Sequence, residues 1–277
     1  MKKILFTLTL MLGVFTAKAQ SCPDDNHPHM IDLGLPSGTL WSCCNVGASL
    51  PEEYGGYYAW GELEEKAVYN TVTYQYATGV DEDGNGWYDD YHSDTETCGV
   101  WQDLGSDIAG TPYDVAHVKW GGSWAMPSLE QFEELLYNCY TRWTKYNEVL
   151  GRLFTGLNDN VLFLPAAGKR ANDLLLEVSN SGTYWSSTVE PSRLDWAYNL
   201  DFGWGGIHCW DYSRCFGFSV RPIISGTNNI TLPAAIPTAS NQVVYNVYGV
   251  KVADNLGNAN TLPPGIYIVN GKKFVVK

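Results

Sequence analysis

Basic residues are scarce: 17 Lys and Arg stand against 30 Asp and Glu, a formal charge of −13 over 277 residues. A field of that sign repels phosphate backbones and anionic lipid, which argues against nucleic acid and membrane surfaces as partners. Charged residues make up only 17% of the chain against 45% hydrophobic ones, so disorder is excluded as its main state. No Cys-x-x-Cys pair occurs, and His27, His29, His92, His117 and His208 fall at no metal-binding spacing, so a zinc site is not expected. Neither is there a Gly-x-Ser-x-Gly nucleophile elbow. Glu62, Glu64 and Glu65 are neighbours on one stretch, whereas a glycosidase pair must face each other across a bond. Long apolar runs are missing with one exception, from Ile4 to about Thr16, behind Lys2 and Lys3. That run is shorter than the roughly 20 residues a bilayer needs. With Ala17-Lys18-Ala19 after it, it reads as a signal peptide over 1–19, which predicts export by the general secretory route to the extracellular side or outer cell surface.

What the chain does have is 28 Gly, 13 Pro, 11 Trp, 18 Tyr and 9 Phe, a composition suited to a loop-rich fold. Short strand-like runs such as Gly55 to Trp60, Val161 to Leu164 and Phe216 to Val220 lie between turn residues. Two helices interrupt them. Ser128 and Gln131 can form a capping box ahead of an apolar face made by Leu129, Phe132, Leu135, Leu136 and Cys139. Thr111-Pro112-Tyr113-Asp114 supplies a cap, a first-turn proline and an acid ahead of Val115, Ala116 and Val118. The pattern predicts an α+β domain with many short strands and two helices over 31–224, a Gly/Thr/Asn/Pro linker over 225–241 and a small all-β tail over 242–277. In the tail, Ile266 to Val269, Asn270-Gly271 and Phe274 to Val276 read as a hairpin.

For an exported chain, the seven cysteines (Cys22, Cys43, Cys44, Cys98, Cys139, Cys209 and Cys215) read as disulfide partners with one left over. Cys209 and Cys215 enclose five residues, short enough for a local bridge. Arg221, inside an apolar run, calls for an internal partner such as Glu62 or Glu134. Asp81, Asp83, Asn85, the carbonyl of Trp87, and Asp89 occupy positions one, three, five, seven and nine of a calcium loop of EF-hand type, with Gly86 at the turn. Position twelve is His92 rather than a bidentate Glu, so calcium coordination and a solvated acidic turn both stay open. Glu190-Pro191-Ser192 with Asp195 is similar to the sugar-binding and calcium-binding Glu-Pro-Asn motif of C-type lectins. Trp204 and Trp210 lie among Gly and Asp, where an exposed indole can stack on a sugar ring.

Several blocks together carry a resemblance. They are Met30 to Trp41, Cys44 to Ala48, Tyr57 to Glu62, Asp107 to Thr111, Trp120 to Pro127, Leu164 to Gly168, Tyr184 to Ser187 and Gly217 to Pro222. In this order they resemble the Fibrobacter succinogenes major paralogous domain family, with Ala125 where that family usually has Arg. The resemblance implies a C-type-lectin-like fold, an exported protein of Bacteroidetes-type bacteria without a settled activity, and a bridge between Cys44 and Cys139. It also implies that Trp41, Trp60, Trp120, Trp124 and Trp185 are core residues. The tail, from Val244 to Gly249 and Leu262 to Lys273, is similar to sorting domains of type IX secretion, although it lacks their opening Pro-Asn-Pro block. The sequence therefore predicts a noncatalytic recognition protein, glycan-binding or adhesin-like, whose partner is an extracellular glycan or a surface protein. A structural or protein-interaction domain without a small ligand is the alternative, and an enzyme of the formylglycine-generating type, suggested by Cys209 and Cys215, is the third reading.

Overall fold

The computed structural model describes residues 30–78 and 100–226 and, in the tail, 244–246, 251–253, 265–269 and 272–276. The leader, the acidic loop carrying Asp81, Asp83, Asn85, Trp87 and Asp89, and Cys22 and Cys98 lie outside the described residues. The chain divides into two units, Met1–Asn228 and Asn229–Lys277. No helix among the described residues is long and apolar enough to cross a membrane.

In chain order the first unit contains β1 (Met30–Asp32), β2 (Leu40–Ser42), β3 (Ala77–Thr78), β4 (Val100–Trp101), α1 (Val115–Trp120), β5 (Trp124–Ala125), α2 (Leu129–Asn138), β6 (Tyr140–Tyr146), β7 (Val149–Thr155) and β8 (Val161–Pro165). It continues with β9 (Lys169–Ala171), β10 (Leu174–Leu176), β11 (Ser181–Val189), β12 (Trp196–Gly203), β13 (Gly206–Ser213) and β14 (Ile223–Ile224). These strands make small antiparallel sheets, ordered β1-β2-β14-β5, β6-β7-β8 and β11-β12-β13, with the two ribbons β3-β4 and β9-β10. With two helices among the described residues the architecture is α+β and mostly β. The second unit is one antiparallel sheet ordered β16-β15-β17-β18, from β15 (Val244–Asn246), β16 (Lys251–Ala253), β17 (Gly265–Val269) and β18 (Lys272–Val276).

Helix α2 starts where the sequence places it. The Ser128 Oγ accepts from the Gln131 N–H at 3.3 Å and the Ser128 N–H donates to Gln131 Oε1 at 2.8 Å, a closed capping box. Phe132 and Leu135 then bury against Trp41, Tyr184, Leu200 and Phe202, with Leu136 and Cys139 at the margin of the same cluster. Helix α1 starts later than Thr111-Pro112 predicts. Asp114 is its N-cap rather than a first-turn acid, and the cap does more than end a helix. The fully buried carboxylate accepts from the N–H groups of Ala116 (2.8 Å), His117 (3.0 Å), Gly110 (2.9 Å) and Met126 (2.9 Å), tying the incoming loop, the helix and the strand region after β5 together.

Gly55 to Trp60 and Phe216 to Val220 are not strands of a sheet; a single bridge, Tyr58 to Phe218, joins them. Side chains complete the joint. The Trp60 indole N–H donates to the Ser186 carbonyl at 2.8 Å, and the Trp185 indole N–H donates to the Tyr58 carbonyl at 2.9 Å. Trp185 also stacks on Phe218 at 4.1 Å. Trp41, Trp60, Trp124 and Trp185 are buried, while Trp120 is partly buried against the Trp60 cluster.

Arg221 is buried, but not against Glu62 or Glu134. Its Nε donates to Asn45 Oδ1 at 2.7 Å and its Nη1 to the Ser42 and Cys43 carbonyls at 3.1 and 2.8 Å. Glu62 instead pairs with Lys66 at 2.8 Å, and Glu134 accepts from the Ser37 N–H at 2.7 Å. Arg214, also fully buried, lies over Trp60 at 4.6 Å and donates to Tyr74 Oη and to the Gln102 and Leu194 carbonyls. Neutral oxygens accept from both guanidinium groups in the interior, and ring faces pack on that of Arg214.

Among the described residues no two cysteines stand at disulfide distance. Cys139, the C-cap of α2, is a thiol not joined to Cys44. Cys209 and Cys215 are likewise thiols, because Trp210 to Ser213 between them continue β13 instead of looping back. At about 3.3 Å per residue an extended strand carries the two sulfurs apart. Cys209 faces the cluster under α2, whereas Cys215 packs with Tyr57, Tyr69 and Tyr74 in another.

Replacing Asp114 by Ala strands the buried N–H groups of Ala116 and Met126 and removes the cap of α1, and is expected to cost at least about 3 kcal/mol in a urea titration. A loss under about 1 kcal/mol would mean that the carboxylate does not tie α1 to the strand region after β5.

Candidate functional site

The sheet β11-β12-β13 has two unlike faces. Alternation along the strands sends Tyr184, Leu200, Phe202, Ile207 and Cys209 toward α2. On the opposite face Trp185, Val189 and Ala197 are buried in a second cluster, and nearer the β12–β13 turn the surface becomes polar. There the register sets Thr183, Asp201 and His208 in a row, with Trp185, Asn199 and Trp210 in the next.

Asp201 is the charged centre of this face. Thr183 Oγ1 donates to its Oδ2 at 2.9 Å, and the Lys169 ammonium and His208 stand close enough to act on it electrostatically. Lys169 arrives from β9, pairs with Glu177 at 3.5 Å and lies 5.1 Å from the centroid of the Tyr212 ring. Burial pushes the Asp201 carboxyl above the usual carboxylate range, against the opposing pull of Thr183 and Lys169. Asn199, in the next row, is 1% exposed, and its Nδ2 has no hydrogen-bond partner among the described residues.

Aromatic surface flanks the polar row. Trp210 is 57% exposed, and its ring lies 5.7 Å from that of His208. Gly206 leaves room for that arrangement, since a Cβ there would stand 3.0 Å from His208 Nε2. Trp204, 84% exposed, sits in the β12–β13 turn. The turn is pinned from beneath, because Arg152 on β7 donates to the Gly203 and Gly206 carbonyls at 2.9 and 3.1 Å. Trp204 and Trp210 therefore stand on either side of the Asp201–His208 row, held by a braced hairpin.

Around the β13 edge a groove of about 490 Å³ separates the strand from α2, lined by Glu133, Leu136, Tyr137, Cys139 and Thr141 on one side and by Ile207 to Trp210 on the other. Burial pushes the Cys139 and Cys209 thiols up to about 11, so both are protonated at neutral pH.

Of the four residues read from sequence as ligand-binding, the structure groups two. Glu190 and Asp195 lie at the opposite end of β12, in the β11–β12 loop. The Glu190 carboxylate is occupied by the Ser192 N–H and hydroxyl at 2.9 and 2.8 Å, so the Glu-Pro-Ser segment is a self-closed turn. The eight residues of β12 separate it from Trp204. Sequence reasoning missed Asp201, Asn199, Lys169 and Tyr137. Tyr137 alone left a signal, an aromatic off the apolar face of α2, and it is 84% exposed. Among the described residues no group of His, Cys, Asp or Glu is arranged to hold a metal ion. Comparisons with protein-family models, curated proteins and solved structures find no match to this chain.

The raised Asp201 sets a direction for pH. A folded state that holds its proton more tightly gains stability that is complete below the unfolded value of about 3.9 and is lost as pH rises through the higher folded value. Asp201→Asn cannot ionise, so its midpoint of thermal unfolding is expected to climb relative to the parent from pH 3 to 6. A difference constant over that range would contradict the assignment.

Proposed function

We propose that this chain is an exported, noncatalytic recognition protein that binds glycan on the outer face of the β12–β13 hairpin. The observation that carries the reading is the exposed Trp210–His208 ring pair next to Asp201 and Lys169, with Trp204 beyond. Sugar rings bind by laying an apolar face on an aromatic while their hydroxyls meet polar and charged groups, and this face sets the Asp201 carboxylate and the Lys169 ammonium near the exposed indole. A braced hairpin suits such a site, because ordering a mobile loop on binding would consume affinity.

The carboxylates suggestive of glycosidase chemistry are engaged elsewhere, which favours binding over catalysis. Glu62 holds Lys66 and the Gln75 N–H, Glu64 holds Lys119, and Glu65 accepts from the Tyr57 N–H. Membership of the Fibrobacter succinogenes major paralogous domain family and a C-type-lectin-like fold belong to the same proposal. They are supported by the sequence blocks and are compatible with an α+β chain of short antiparallel strands. The leader supports placement at the outer surface, and the tail supports type IX export. Calcium remains part of the proposal through the acidic loop of Asp81 to Asp89.

A glycan array on the secreted protein, followed by thermal shift with the best sugar, tests the reading, since a ligand that prefers the folded state raises the midpoint. Trp210→Ala is expected to weaken binding at least about tenfold, and Trp204→Ala less, with both variants folded. An array with no hits, or hits that survive Trp210→Ala unchanged, would overturn it.

A further inference from the structure

The two edges of the β11-β12-β13 sheet are treated differently. The β11 edge is covered, with bridges from Thr188 to Asp107, Gly182 to Gly168 and Tyr184 to Ser219. The β13 edge is flanked by two backbone anchors. The Gly206 carbonyl accepts from Arg152, and the Arg214 carbonyl accepts from the Trp60 N–H. Between them, from Ile207 to Tyr212, no described strand pairs with the outer side of β13. Open edges are normally blunted with proline, lysine or a bulge. This one is Gly-Ile-His-Cys-Trp-Asp-Tyr-Ser, paired with β12 in continuous register and carrying a single charge, Asp211, which faces Arg193 at 3.7 Å.

We propose that this edge accepts an extended segment of another polypeptide as a fourth strand, with alternate side chains entering the groove against α2. This goes beyond glycan recognition and uses main-chain groups rather than the outer face. Strand addition draws its affinity from backbone hydrogen bonds and its selectivity from pockets for every second residue. The groove offers Leu136, Ile207 and Cys209 as an apolar floor, with Tyr137 and the exposed carboxylate of Glu133 on the α2 side. Charge favours a basic partner strand. A second copy of this chain would bring another net −13 to the same edge and set Glu133 against like charge.

The test uses a fluorescent heptapeptide of alternating valine and lysine and two versions of it, N-methylated at every second amide in opposite phases. Anisotropy with the whole protein is expected to show saturable binding of the parent peptide. One methylated phase should bind about tenfold more weakly than the other, because only the amides of one phase face β13 and join the ladder. Glu133→Lys should weaken the parent peptide about fivefold without changing the circular dichroism. Trp204→Ala, which lies in the turn and outside the groove lining, should leave peptide binding within about threefold while weakening glycan binding, so the failure of either proposal is distinguishable from failure of the other. No saturable binding up to 1 mM, equal binding of both methylated phases, or a concentration-dependent dimer in sedimentation velocity that the peptide does not dissociate would overturn the proposal.

Discussion

Backbone polar groups of irregular segments must find partners once they are buried, and in this chain side chains from elsewhere provide them. Long stretches between short strands run through the interior with few ladder bonds of their own. Asp114 answers for four N–H groups, Arg221 for the carbonyls of Ser42 and Cys43, Arg214 for those of Gln102 and Leu194, and Trp60 and Trp185 for two more. This explains why a chain with so little charge spends two fully buried arginines on its core. Each holds carbonyl oxygens at or beyond the ends of short strands. It also explains the tryptophans, whose indole N–H groups are cross-links as much as apolar mass.

A core satisfied in this way frees the surface of β13. Because α2 fills the inner face through Phe132 and Leu135, and because Arg152 fastens the turn, the hairpin can present Trp204, His208 and Trp210 outward without collapsing onto them. Burial acts on the same face in a second way. It raises the Asp201 carboxyl and gathers Thr183 and Lys169 around it, making a polar centre beside the exposed rings. Along one cross-strand row of this face the fold buries Trp185 on β11 and leaves Trp210 exposed on β13.

How much of this was legible in the sequence depended on how local the signal was. The capping box at Ser128 and Gln131, the buried run at Val161 to Leu164 and the pairing of Ile266–Val269 with the residues after Gly271 depend on neighbours, and each is found. Gly55 to Trp60 and Phe216 to Val220 carry strand composition but lie where one bridge and two indoles replace a ladder. Arg221 correctly signalled a buried cation. Its partners proved to be an amide and carbonyls, which spacing cannot point to. The Cys209–Cys215 pairing failed because a five-residue gap looks like a loop and is here mostly strand. At the site, Trp204 and Trp210 were visible as aromatics among Gly and Asp. Asp201, Asn199 and Lys169 were not, since only the register of β11, β12 and β13 and the approach of β9 bring them beside His208.

The central claim is that the outer face of the β12–β13 hairpin, and not the buried tryptophans, meets the ligand. Indole and imidazole resonances recorded while an array-selected sugar is titrated into the isotope-labelled protein test it most directly. Shifts are expected at Trp210 and His208, with a smaller one at Trp204, while Trp41, Trp60 and Trp185 stay fixed. Saturable shifts confined to other residues, with Trp210 and His208 unmoved, would contradict the claim.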